Sequence, residues 1–195
     1  MLFLIVNLVL IIFNTNPAQT DEINHFSTPL SSSIILHKIL DSKNLMYRGN
    51  LGYKKSTITP FTGKITGKEE GYLKNGMWDG PYVSYYNTGQ IEHKGSYNRG
   101  KREGPWKSFR ADGNIMSDGN YYNGLYEGTW KFYHLFGTNL QILKNFKNGK
   151  KDGGFQTFYG NGNLMQEGSY KNGKPTGLWI FYGKNRIKER NRKIY

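Results

Sequence analysis

Between residues 61 and 183 the apolar positions fall in short runs of five to eight residues, separated by glycine-centred breaks. The runs, such as Trp106-Lys107-Ser108-Phe109 and the stretch 115–121, are rich in residues that favour a pleated, half-buried strand. No segment keeps a 3.6-residue apolar period over the length of a helix. The pattern predicts an all-β chain of short strands and tight turns.

Self-comparison turns this pattern into a repeat. A glycine is followed two residues later by a ring in Gly80-Pro81-Tyr82, Gly104-Pro105-Trp106, Gly128-Thr129-Trp130, Gly153-Gly154-Phe155 and Gly177-Leu178-Trp179, at spacings of 24, 24, 25 and 24. A second ring follows three residues later, at Tyr85, Phe109, Tyr133, Phe158 and Tyr182. Four residues before each anchor glycine lie Gly76, Gly100, Gly124, Gly149 and Gly173, four of them preceded by Asn and one by Arg99. Asn-Gly is a strong hairpin signal because both residues tolerate positive φ. Half a period on come Gly89, Gly113, Gly137 and Gly162, followed by Ile91, Ile115, Leu140 and Leu164. The one extra residue of the third unit falls near Thr138-Asn139, in a turn, where an insertion costs little. Each unit therefore reads as a β-hairpin. The whole reads as five to six 24-residue hairpins forming one elongated antiparallel meander sheet. Rings at i and i+3 point to opposite faces of a regular strand, so two aromatic columns are expected, one per face unless a bulge intervenes. They serve as packing ladders, or one face leaves its rings open as a binding strip.

The N-terminus departs from this pattern. Residues 1–13 are apolar apart from Asn7 and are followed by Asn14-Thr15-Asn16-Pro17. That is too short to cross a bilayer as an ordinary helix but suits the apolar region of an export signal. No Lys or Arg follows Met1, so the usual basic start is absent and an uncleaved anchor is the alternative. The domains expected are thus a signal peptide or anchor at 1–20, a lead-in at 21–44, the hairpin repeats at 45–183 and a basic tail at 184–195.

Composition sharpens the picture. The 195 residues include 15 Tyr, 11 Phe, 4 Trp and 25 Gly, so rings must fill a core that aliphatic residues usually fill. The absence of cysteine excludes disulfides, thiol nucleophiles and thiolate metal sites. The formal charge is +13, of which the repeats at 61–183 carry +6 and the short segment 184–193 carries +5, its six basic residues facing the single acid Glu189. Chemistry is sparse. His25, His37, His93 and His134 form no metal-ligand spacing, and no nucleophile elbow or phosphate-cradling loop is present. Asp79, Glu103, Glu127 and Asp152 recur once per repeat, which suits a turn role better than an acid–base pair.

The unit Tyr97-Asn98-Arg99-Gly100-Lys101-Arg102-Glu103-Gly104-Pro105-Trp106-Lys107-Ser108-Phe109 resembles the MORN-repeat variant, of the type grouped as YwqK-family antitoxins. The motif recurs at 146–153 and 170–177, and 45–53 with 60–64 resembles an opening unit. The resemblance implies an interaction scaffold, and its label an antitoxin, although a fold does not carry its function with it. The reading that results is a non-enzymatic, exported repeat scaffold with no cofactor and no metal, binding a protein partner or an envelope component. The alternatives are a carbohydrate or cell-wall ligand module and an antitoxin-like protein that neutralises a toxin. Tyr82, Trp106, Trp130, Phe155 and Trp179 are the candidate ligand or partner surface. Lys184, Arg186, Lys188, Arg190, Arg192 and Lys193 are a candidate anion-binding tail for anionic lipid or polysaccharide. Export argues against nucleic acid, which charge and exposed rings alone would allow.

Overall fold

The computed structural model describes residues 38–135, 137–185 and 189–195, without the side chains of 189–192. The expected signal or anchor and the lead-in as far as residue 37 lie outside the described residues. Sixteen strands follow in chain order: β1 (Ile39–Asp41), β2 (Leu45–Arg48), β3 (Leu51–Lys54), β4 (Gly63–Thr66), β5 (Glu69–Lys74), β6 (Met77–Trp78), β7 (Gly80–Tyr85), β8 (Ile91–Asn98), β9 (Lys101–Phe109), β10 (Ile115–Tyr122), β11 (Leu125–Tyr133), β12 (Leu140–Lys147), β13 (Lys150–Phe158), β14 (Leu164–Lys171), β15 (Lys174–Tyr182) and β16 (Glu189–Ile194). Among the described residues the only helical piece is one 3-10 turn, Ser42–Asn44.

From β7 to β16 each strand pairs antiparallel with the next, as the repeat predicts. The beginning is less regular than a meander. Strand β1 joins the sheet by parallel pairing with β4, β6 pairs only with β5, and β2 and β3 form a separate two-stranded sheet. This end is also where the aliphatic core lies, in Leu40, Leu45, Ile65 and Leu73, with Phe61 beside them. At the other end the basic segment is part of the sheet: β16 pairs with β15, and the N–H and C=O of Tyr195 exchange hydrogen bonds with Gly177.

Both turns of each repeat have the chemistry their residues require. At the first, Asn75-Gly76, Arg99-Gly100, Asn123-Gly124, Asn148-Gly149 and Asn172-Gly173 all have positive φ at both positions, from 48° to 53° at the first residue and from 77° to 87° at the glycine. Flanking pairs such as Asn98 with Lys101 close two-residue hairpin loops of the type whose twist matches the strands. At the second turn, Gly89, Gly113 and Gly162 close three-residue loops with φ of 84° to 85°. The third unit's loop is one residue longer, its ends tied by the His134 N–H to the Asn139 carbonyl.

The anchor glycines have a role that spacing alone does not show. Gly104 and Gly128 sit inside strands at φ of 70° and 65°, with nothing within 4 Å of where a Cβ would stand. Conformation, rather than space, requires glycine there. Between the pairs Lys94–Lys107 and Ser96–Glu103, three residues of β9 oppose the single Gly95 of β8. This bulge throws Trp106 across the preceding strand, directly over Gly95. Trp130 covers Gly119 and Trp179 covers Gly168 in the same way, so closely that any Cβ at those glycines would run into the ring. In the β12–β13 unit the corresponding residue is Lys144, and the ring is the smaller Phe155.

Neighbouring strands fill in between these rings. Tyr97 lies edge-on between Tyr82 and Trp106, at 5.1 and 5.3 Å, and Tyr121 lies edge-on between Trp106 and Trp130, at 5.9 and 5.1 Å. Tyr170 does the same between Phe155 and Trp179 at 5.4 and 5.2 Å. Edge-to-face pairs of this kind contribute about 0.5–1.5 kcal/mol each beyond the area they bury.

Side chains then tie successive hairpins at both ends. At the Asn-Gly end, Glu103, Glu127 and Asp152 accept the N–H of Asn123, Asn148 and Asn172 at 2.8, 2.8 and 3.1 Å. The acidic column thus caps the turn of the next repeat. The N–H of Gly100, Gly124, Gly149 and Gly173 reaches back to a carbonyl of the repeat before. At the opposite end, Tyr86, Arg110, His134 and Tyr159 donate to the carbonyls of Phe109, Tyr133, Phe158 and Tyr182 at 2.7 to 3.0 Å. The carbonyl partner fixes the proton of His134 on Nε2.

Valine at both Gly124 and Gly149 is expected to lower stability by about 2–5 kcal/mol, because a β-branched residue is strained at positive φ. Urea unfolding of the double variant measures this; an unchanged midpoint would contradict the turn geometry.

Candidate functional site

The five rings expected to meet a ligand or partner are core residues. Trp106 and Trp130 are 1% exposed, Trp179 5%, Tyr82 7% and Phe155 9%. The bulges lay them flat over the preceding strand and the intervening tyrosines and phenylalanine cover their edges. This column is the packing ladder and offers no open strip.

The second ring column lies on the opposite face, as strand alternation predicts. Tyr85, Phe109, Tyr133, Phe158 and Tyr182 are partly buried. Four of them stand directly across from the recurring aliphatic residue of the next strand, in the pairs Tyr85–Ile91, Phe109–Ile115, Tyr133–Leu140 and Phe158–Leu164. Ring against aliphatic across a ladder is a favourable pair. The result is a semi-exposed stripe that repeats with each hairpin. It is bordered by a mostly basic row in which Lys94, Lys107, Asp118 and Lys131 oppose one another in turn. The fields of that row act on the stripe: burial first, then Asp118, pushes the Tyr133 phenol up, against a smaller opposite effect of Lys107.

Two clefts open on the ladder face and a third on the stripe face, where Leu143, Gln156 and Glu167 continue the row of Lys131. One of about 480 Å³ is lined by Lys43, Lys68, Glu69, Tyr82, Ser84 and His93, among others. Tyr82 donates to Glu69 at 2.8 Å, and burial followed by the Glu69 charge raises its pKa. Burial also raises the Tyr47 phenol to about 12, helped by Glu69, while its oxygen accepts the Trp78 indole N–H at 3.0 Å. His93 Nδ1 meets Ser108 Oγ at 3.0 Å. A second cleft, of about 530 Å³, lies among the Asn-Gly tips and holds Tyr97, Arg102, Tyr121, Leu125 and Tyr126. The third, about 460 Å³, runs between β12, β13, β14 and β15 past Leu143, Asn145, Gln156 and Glu167. Among the described residues no group of three or more His, Asp or Glu is placed to hold a metal ion.

Of the basic tail, Lys184 is exposed in a turn, and the Lys193 ammonium lies 4.4 Å over the Tyr195 ring. Arg186 and Lys188 lie outside the described residues, as do the side chains of Arg190 and Arg192. The acidic column is occupied with turns: the Asn172 N–H holds the Asp152 carboxyl below its usual range against the opposing effect of burial, and Lys171 assists. The glycines beneath the rings were missed in the sequence, although Gly95, Gly119 and Gly168 stand eleven residues before Trp106, Trp130 and Trp179. Arg102 was missed because it belongs to no column.

Burial lowers the His93 pKa below 6.5, with Glu92 opposing and Arg102 assisting. The unfolded chain then binds the proton more readily, so this contribution to stability is complete above about pH 6.5 and declines as pH falls through that value. Unfolding free energies of wild type and His93→Gln between pH 5 and 8 are expected to converge toward low pH. A parallel pair of curves would contradict the buried, neutral His93.

Three stretches, residues 78–99, 102–123 and 151–172, match the MORN repeat variant family. Each begins in the Asn-Gly end of one hairpin and closes at the tip of the next. The unmatched stretch between the second and third holds the lengthened loop and Lys144 in the glycine column. No curated protein matches the chain. Five hairpins of one design, three of them matching the family pattern, make this chain a MORN-variant repeat protein.

Proposed function

We propose that the chain is an exported, non-enzymatic scaffold that binds a protein partner through the stripe of Tyr85, Phe109, Tyr133, Phe158 and Tyr182. The observation that carries this reading is the partial exposure of the same ring–aliphatic pair in successive repeats. A soluble monomer rarely leaves a long contiguous apolar strip uncovered. Repeat arrays present such extended surfaces as their means of binding. The three lysines and one aspartate of that row, Lys94, Lys107, Asp118 and Lys131, would fix register along the strip more than they would add affinity. Export is supported by the apolar run at residues 1–13 and the small residues Ala18 and Thr20 before Asp21. A carbohydrate role has less support, because stacking on sugars needs open ring faces and Trp106, Trp130 and Trp179 are buried.

A photo-crosslinking side chain placed at Lys107 or Lys131, which are exposed beside the stripe, is expected to capture one discrete partner in the source cell. The adduct should disappear in the Phe109→Asp, Phe158→Asp variant. Adducts from the tip position Asn98 alone, or adducts that survive the double variant, would overturn the reading. Mass spectrometry of the mature chain is expected to find an N-terminus near Asp21 outside the cytoplasm; an intact Met1 in the soluble cytoplasm would contradict export.

A further inference from the structure

The cleft among the hairpin tips differs from the columns around it. Arg102 stands at a position that the other units fill with Trp78, Tyr126, Lys151 and Pro175. Its guanidinium lies 4.4 Å over the Trp106 ring and 5.3 Å from Tyr121, and Nη1 donates to the Tyr121 hydroxyl at 2.9 Å. Tyr97 also lies within hydrogen-bonding reach. Every group that holds it is neutral. Among the described residues the ion pairs are Lys43–Asp41 and Lys171–Asp152, and no carboxylate approaches Arg102. The nearby acid Glu103 is engaged with the Asn123 N–H. A partly buried guanidinium with five donors is thus fixed in place with its charge uncompensated.

The rim of the same cleft is also singular. Lys147 faces Lys150 and Lys171 faces Lys174 across two other tips, yet the tip at Asn123-Gly124 carries Tyr122 opposite Leu125. Tyr122 is 61% exposed and Leu125 50%. Leu125 lines the cleft, against the Gly149 turn, and Lys101 adds a second cation bonded only to the neutral Asn123 amide at 2.9 Å. A residue type that recurs in each repeat serves the fold. Lys151, at the equivalent position, also lies over two rings, Phe155 and Tyr170, but the tip beside it pairs Lys171 with Lys174; the guanidinium and the apolar tip come together at Arg102.

We propose that this cleft binds a peptide carboxylate adjoining an apolar side chain, donated by a protein partner. The Arg102 fork and the Tyr97 and Tyr126 phenols receive the carboxylate, and Leu125 meets the apolar neighbour. Planar, two-point recognition of a carboxylate is what a guanidinium held rigid by stacking does best. The cleft is on the face opposite the stripe, so this site stands whether or not the stripe binds.

The carboxylate has two sources, a chain terminus or an internal acidic residue, and three probe peptides separate them. They are acetyl-Gly-Ser-Gly-Leu-Phe with a free C-terminus, the same peptide amidated, and an amidated peptide with an internal Glu before Leu-Phe. Binding to the full chain is followed by NMR of the Arg102 side chain and the Leu125 methyls. At least one carboxylate peptide is expected to bind ten-fold or more tightly than the uncharged amide, and the better of the two identifies the source. Arg102→Gln should weaken that binding at least ten-fold. Leu125→Glu, at an exposed position that leaves the ladder intact, should weaken it comparably by placing a competing carboxylate at the rim. Equal binding of the amide, equal binding by both variants, or tighter binding of inorganic phosphate than of either carboxylate peptide would overturn the proposal. Should Arg102→Gln fail to fold, Leu125→Glu decides it alone.

Discussion

Contact between a large ring and a glycine on the strand before it is the constraint on which the rest of this sheet depends. A sheet with few aliphatic residues has no second layer to bury its rings against, so it buries them against itself. Positive φ at Gly104 or Gly128 makes the bulge, the bulge tips the indole over, and the absent side chain at Gly95 or Gly119 makes room for it. Tyrosines of the intervening strands then seal the edges. Each hairpin closed by such a turn thereby supplies both the ring and its glycine floor, and rings of the neighbouring strands, such as Tyr82 and Tyr121 on either side of Trp106, complete the burial. The ties at both ends, acid to turn N–H and Tyr, Arg or His to carbonyl, fix the register in which this contact is made.

That economy decides where function can reside. The most conspicuous residues, Trp106, Trp130 and Trp179, are consumed by the fold, and so are the recurring acids that resemble catalytic carboxylates. What remains available is the second ring column and the residues that break the pattern. Lys144 is one such break. It replaces glycine opposite Phe155, its ammonium lies 4.4 Å over Phe132 and 5.5 Å from Phe146, and burial followed by Lys151 lowers its pKa. Arg102 is the other, and it opens on a cleft.

Spacing made the architecture legible because each turn is specified locally: Asn123-Gly124 can hardly be anything but a tight hairpin, and 24 residues later the same words return. Strand alternation likewise separated Tyr82 from Tyr85 correctly. The exposure of those columns was not legible, since it depends on bulges of two extra residues that no local signal announces. The parallel β1–β4 pairing and the separate β2–β3 hairpin were hidden for a related reason. They are long-range pairings made by residues outside the repeat, and periodicity says nothing about them. Arg102 was invisible to a method that rewards recurrence, because its meaning lies in its occurring once.

The ring-on-glycine contact is tested most directly by a double-mutant cycle between Gly119 and Trp130, read by urea unfolding. A Cβ at 119 is expected to be costly beneath the indole and tolerated far better in the Trp130→Phe background, as Lys144 is opposite Phe155. The coupling predicted is about 1 kcal/mol or more, within the range seen for residues in direct contact. Strictly additive effects would contradict the account, because they would mean that the ring does not rest on the glycine.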